Sequence, residues 1–118
     1  MFEIIEKKSR FIGYAAIVST ELQAKEFIDS IKREHKKARH VAFAFILSAT
    51  ETTPATARFN DDGEPKGSAG LPLFNAISRR ELSNVAVVVV RYFGGTLLGK
   101  GGLIRAYGKA AGLAVQAI

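Results

Sequence analysis

Three stretches of the chain hold residue types that could do chemistry. The first is Gly94-Gly95-Thr96-Leu97-Leu98-Gly99-Lys100. It fits G-x-x-x-x-G-K, the body of a phosphate-binding loop, where backbone N–H groups and a lysine meet anionic oxygens. Gly94, Gly95, Gly99, Gly101 and Gly102 place five glycines within nine residues, beside Lys100 and Arg105. Gly101 stands where a serine or threonine would hold magnesium. The apolar run before the loop ends in Arg91, not in the aspartate that would supply a second magnesium carboxylate. ATP or GTP hydrolysis is therefore disfavoured, and an anion cradle is retained. The plain structural alternative is that the glycines permit a tight strand-to-helix turn.

The second stretch is Asp61-Asp62-Gly63-Glu64, with three carboxylates in four residues. A hard cation takes such oxygens, but no further ligands can be named, so a solvated turn is the preferred reading and no metal or cofactor is expected. Ser68 with His40 has the residue types of a nucleophile and its base. No signature supports that pair, and no catalytic residue is assigned. His35 and His40 are five apart and do not share a helical face as a metal pair would. The third stretch is basic: Lys32, Arg33, Lys36, Lys37 and Arg39 against the single Glu34. A helix dipole favours cations at its C-terminus, which explains part of the cluster; the remainder suits an anionic partner. Lys7, Lys8 and Arg10 fit either a charged edge strand protected from aggregation or the same binding role. Tyr92 and Phe93 could stack on a base if exposed, although core burial is the commoner fate.

The elements that must position these residues follow from periodicity. Glu3 to Val18 reads as one strand or a bent pair, with Gly13 at a bulge or a close backbone approach. Thr20 with Gln23 fits a capping box. Ala24, Phe27, Ile28 and Ile31 then share one helical face. His40 leads into VAFAFILS, apolar on both faces and so central. Ala55–Asn60 can form a short strand. Ser68 is placed to cap a helix carrying Pro72 in its first turn. Val85–Val90 is a buried strand, and an amphipathic helix begins at about Leu103. In that helix Gly108 and Gly112 are expected to allow close packing on the sheet. The order strand, helix, strand, strand, helix, strand, helix implies an α+β fold, a mixed four-stranded sheet with helices on one face.

At 118 residues the chain fits a single domain. It has no cysteine, which excludes disulfides, thiolate metal sites and a cysteine nucleophile. The net charge is +6 and the pI about 9.8. That balance favours a polyanionic partner: RNA, a ribosome or an acidic protein. No apolar run is long enough to span a membrane, the stretch MFEIIEKKSRF lacks the order of a signal peptide, and a cytoplasmic setting is expected.

Taken together, DDGEPKGSAGLP (61–72) and VVVVRYFGGTLLGKGGLIRAYGKA (87–110) resemble the IMPACT family, including its YigZ-like bacterial and archaeal members. The likeness extends more weakly to KKSRFIGYAA (7–16) and to His40. Relatives there open a strand with a His-Asn-Cys-like sequence, where this chain has His40-Val41-Ala42. The resemblance implies one N-terminal-type domain over residues 1–118, without the small ferredoxin-like C-terminal domain that many bacterial relatives add. It implies the two-layer fold of a ribosomal-protein second domain, shared with the fourth domain of a translocation elongation factor and the protein part of ribonuclease P. Eukaryotic relatives regulate translation by binding the activator of an amino-acid-starvation kinase, and no catalytic residues come with the family.

Three functional readings follow. The leading one is a non-catalytic module of translation regulation that contacts RNA or a ribosome-associated partner. Its anion-facing residues would be Lys32, Arg33, Lys36, Lys37, Arg91, Lys100 and Arg105, supported by the 61–70 and 91–105 loops, which are expected to meet at one edge. The second is a protein–protein adaptor that meets an acidic partner. The third is an enzyme acting on a phosphorylated small molecule, with the acidic turn holding a metal.

Overall fold

In the computed structural model, which describes Met1 to Ile118 throughout, the chain forms β1 (Phe2–Glu6), β2 (Ser9–Ile17), α1 (Glu21–Glu34), β3 (His40–Leu47), β4 (Thr56–Asn60), α2 (Gly70–Ser78), β5 (Val85–Tyr92) and α3 (Gly99–Gln116). The strands lie in the order β1-β2-β5-β3-β4, and every neighbouring pair is antiparallel. The fold is α+β. The expectation of four strands in a mixed sheet is corrected to five strands, all antiparallel.

Two features account for the difference. The N-terminal segment is a hairpin whose two-residue turn is Lys7-Lys8, both at positive φ (45° and 69°). Hairpin turns of this kind usually carry Asn or Gly, so two lysines do not announce one. In addition, β2 and β3 run the same way, joined through α1, but they do not touch. The β5 strand inserts between them and pairs antiparallel with both.

Alternation within β5 explains why helices cover both faces of the sheet, not the single face expected. Val85, Val87 and Val89 point into a core with Phe11, Leu73 and Tyr107, under α2 and α3. Ala86, Val88 and Val90 point into a second core with Ile12, Phe45, Ile28 and Ile31, under α1. Each buried valine contributes on the order of 1.5–3 kcal/mol, so neither face of this strand can stay wet. The α1 helix is capped as its sequence predicts: Thr20 Oγ1 accepts from Gln23 N at 3.1 Å. Gln23 Oε1 in turn takes the Ser19 N–H at 2.7 Å. At its other end His35 bridges Tyr14 and Tyr92, 2.6 Å from each hydroxyl, and ties α1 to the sheet.

Of the glycines expected at close packing, Gly13 makes the approach and Gly108 and Gly112 do not. Gly13 sits in unbroken register with both neighbouring strands, and α3 lies directly on it. Gly108 and Gly112 face away from the sheet. A Cβ on Gly108 would meet only the Pro72 Cβ at 3.9 Å, and one on Gly112 only Arg80 Nη2 at 3.7 Å. Packing requires neither glycine, and each carries a helix-propensity cost of about 1 kcal/mol relative to alanine. Gly108→Ala is therefore expected to raise the unfolding free energy by roughly 0.5–1 kcal/mol in urea titration. A loss of stability would show that the helix surface there is more crowded than its geometry indicates.

Candidate functional site

The end of the sheet where β5 stops and β3 starts gathers most of the singled-out residues. Register places His40 opposite Arg91 on one side, and Phe11 opposite Arg91 on the other. The β1–β2 turn, the turn that leads into β3, the 61–70 loop and the start of α3 all open here. Gly94 permits part of this convergence, because any Cβ on it would collide with the Lys8 backbone. Gly95 and Gly99 turn the chain at positive φ, 89° and 73°, and Gly101 and Gly102 lie in the first turn of α3.

The acidic turn is an internal scaffold. Asp61 Oδ1 accepts from the N–H groups of Ala69 (3.1 Å) and Gly70 (2.8 Å), and its Oδ2 from Gly67 (3.0 Å). This carboxylate, not Ser68, satisfies the start of α2. The Ser68 hydroxyl is fully buried and donates to the Pro65 carbonyl at 2.5 Å. Burial works to raise the pKa of Asp61, but the N–H bonds and the nearby Lys100 charge outweigh it and hold it below the usual carboxylate value. Asp62 turns at φ 49° and Gly63 at φ 84°. Asp62 Oδ2 accepts from Val41 N at 2.7 Å, and the Asp62 carbonyl accepts from His40 Nδ1 at 2.6 Å. That bond assigns a proton to Nδ1.

Glu64 is the centre of a buried network. Its two oxygens accept from Arg91 Nη1 at 2.9 and 2.8 Å. The Tyr107 hydroxyl donates to Oε2, and His40 Nε2 lies 3.4 Å from Oε1. Burial and the bond to Glu64 push the Tyr107 hydroxyl well above the ordinary tyrosine pKa. Arg91 is only 5% exposed, and its Nε is buried without a partner. Its guanidinium stands over the Phe11 ring at 5.7 Å and the Phe93 ring at 5.5 Å. Arg39 covers Phe93 as well, at 4.9 Å.

Above this network lies a cavity of about 290 Å³, between Glu64-Pro65 and the Leu97–Leu103 segment. Arg39, His40, Glu64, Arg91 and Lys100 supply its polar lining. The 61–70 and 91–105 loops therefore do meet. Several residue assignments change with the geometry. Arg91 is not free for an outside polyanion, because Glu64 occupies it. Asp61, Asp62 and Glu64 each turn to different protein donors, and they do not form a group of three metal-ligating side chains. Ser68 and His40 are engaged by separate carbonyls, so they are not a nucleophile–base pair. Tyr92 is hydrogen-bonded to His35 and covered by Arg10 at 5.2 Å, which removes it as a stacking platform.

The basic residues divide. Lys32 lies on the α1 face, its ammonium 5.8 Å from the Phe43 ring, with Arg33 in the same last turn. Lys36 and Lys37 follow in the turn that leads to the cavity end. Arg105 points away from the cavity, toward a groove of about 490 Å³ shared with Arg79 and Arg80 of the α2 side. Tyr107 is the functional neighbour that sequence reasoning left in the core, whereas Phe93, weighed there as a stacking residue, is partly exposed with Arg39 and Arg91 over its ring. A helix-face tyrosine gives no signal that its hydroxyl meets a carboxylate 43 residues away.

The family described as Impact N-terminal domain matches residues 7–115. The chain is 47% identical over 108 residues to IMPACT family member YvyE of Bacillus subtilis, covering 92% of this chain and 48% of that protein. A crystal structure described as that of a hypothetical protein superposes with a TM-score of 0.86 at 40% identity, over 97% of this chain and 56% of the other. The two-domain translational regulator Yih1 superposes with a TM-score of 0.64 at 30% identity, over 98% of this chain and 45% of the other. The chain thus spans about half the length of the relatives it matches.

Proposed function

Because this chain belongs to the Impact N-terminal domain family, we propose that it is a non-catalytic binding module in translation regulation that contacts RNA or a ribosome-associated partner. The observation that carries the reading is the convergence of cations at one end of the sheet. Lys7 and Lys8 lie in the β1–β2 turn, Lys36, Lys37 and Arg39 precede β3, and Lys100 begins α3. None of these six is held in an ion pair, whereas Arg10, Arg58 and Arg91 are. Unpaired cations on one surface attract a polyanion through counterion release. The relation to Yih1, described as a translational regulator, supports the regulatory part.

Kinship with a ribosomal-protein second domain belongs to the same proposal. Its support is the β3–β4–α2–β5–α3 half, where two helices cover one sheet face. No helix is long and apolar enough to cross a membrane, and a cytoplasmic setting is part of the reading.

The test is the salt dependence of RNA binding. Affinity is expected to fall linearly on a log–log plot, and Lys100→Ala to reduce the slope by about one unit. Absent or salt-insensitive binding would remove the RNA reading. A partner that survives nuclease in a pull-down would instead favour an acidic protein on the same surface.

A further inference from the structure

We propose that the groove between α2 and α3 is a docking site for an acidic amphipathic helix of a protein partner. The groove holds about 490 Å³ and has Leu71 and Arg79 on its α2 side and Ile104 and Arg105 on its α3 side. None of Lys7, Lys8, Lys36, Lys37, Arg39 and Lys100 lines it. The site therefore stands whether or not RNA binds at the end of the sheet.

Charge selects an acidic partner. Arg79, Arg80 and Arg105 are exposed, no ion pair of the chain includes any of them, and no carboxylate lines the groove. Arg80 donates from Nη1 to the Ala76 carbonyl at 3.0 Å and keeps its other donors. The dipole of α2 favours Arg79 and Arg80 at its C-terminus. It does not account for Arg105, which stands in the second turn of α3 on the opposite wall. A guanidinium pairs with a carboxylate through two parallel hydrogen bonds, so arginines on both walls suit a segment with acidic residues along its flanks.

The apolar lining selects a peptide over a nucleic acid. Leu71 is 39% exposed and Ile104 40%, one on each wall. No aromatic side chain lines the groove, so a base finds no ring on which to stack. Apolar side chains at i, i+3, i+4 and i+7 of a helix can reach both walls. Gly108 and Gly112, one turn apart on α3, leave room for that helix. A Cβ on either would meet a single neighbour within 4 Å, and core packing asks for neither glycine. Keeping the groove open accounts for their cost in helix stability.

The experiment is selection of a display library of random peptides, each about 16 residues or four helical turns long, on the 118-residue chain. Fluorescence anisotropy then measures the affinity of the selected peptides. They are expected to combine acidic residues with apolar residues at helical spacing. Arg79→Glu, Arg105→Glu and Gly108→Leu should each weaken them about tenfold or more. Lys25→Glu makes the same charge change on α1, across the sheet, and should match the unchanged chain. Thermal unfolding of each variant verifies that it is folded. Failure to select a peptide, or selected sequences without an acidic bias, would overturn the proposal. So would undiminished binding to Gly108→Leu, which places the site elsewhere, or equal weakening by Lys25→Glu, which reduces the effect to net charge. Polyuridine that binds the unchanged chain and loses tenfold on Arg79→Glu would assign the groove to RNA and overturn the proposal as well.

Discussion

Glu64→Gln is expected to lower the unfolding free energy by about 3–5 kcal/mol, the cost of leaving one member of a buried ion pair without its partner. The side chains of Glu64 and Arg91 are 3% and 7% exposed. The carboxylate accepts from Arg91 through both oxygens and from the Tyr107 hydroxyl. An amide keeps the shape but loses the charge, and it places N–H hydrogens where one of those donors points. Arg91 then stays buried and positive, with Nε already lacking an acceptor. Urea titration measures the effect, and for a domain of this size the midpoint of thermal unfolding should fall by more than ~10 °C. The triple variant Glu64→Leu, Arg91→Met and Tyr107→Phe removes both charges and the hydroxyl that Glu64 accepts from, and should recover most of the loss, since replacing a whole buried pair by apolar groups is often neutral. A single-variant cost below about 1 kcal/mol would mean that the carboxylate is not what holds Arg91 in place.

The second large effect is at Gly13. An alanine Cβ there would lie 2.6 Å from the Ala110 carbonyl oxygen and 3.3 Å from the Ala114 Cβ. The obstacle is helix backbone, which cannot rotate away as a flexible side chain would, so α3 must lift from β2. Gly13→Ala is expected to cost about 1–3 kcal/mol by overpacking, opposite in sign to Gly108→Ala in the same helix–sheet layer. Parallel urea titrations of the two variants separate the cases. If Gly13→Ala is neutral or stabilising, the backbone of α3 does not rest on β2 at this position.

These two sites also show what sequence patterns can carry. Gly13 stands among apolar strand residues, where a missing side chain signals either a bulge or a close approach. Only the continuous register through Phe2, Gly13 and Val89 decides for the approach. Gly108 and Gly112 carry the same residue type inside a helix but the opposite environment. Both are half-buried, beside the exposed Ile104, Arg105 and Lys109, whereas the small residues that face the sheet are Ala106, Ala110, Ala111 and Ala114. For Glu64, proximity in sequence groups it with Asp61 and Asp62, whereas its partners are 27 and 43 residues away.

The sequence by itself determined the elements and the membership. Unbroken apolar runs mark β3 and β5, helical periodicity marks α1 and α2, Thr20 marks the start of α1, and the 61–72 and 87–110 motifs carry the family likeness. These are local properties, set by which residues stand next to or one turn from each other. Only the tertiary structure decided the strand order, the helices on both faces, and the destination of each charge. Those depend on β5 inserting between two strands joined through α1, and on a register that sets Arg91 beside His40 and Glu64. A charged side chain states that it needs a partner or water; which of these it receives is settled by what the fold brings within about 3 Å.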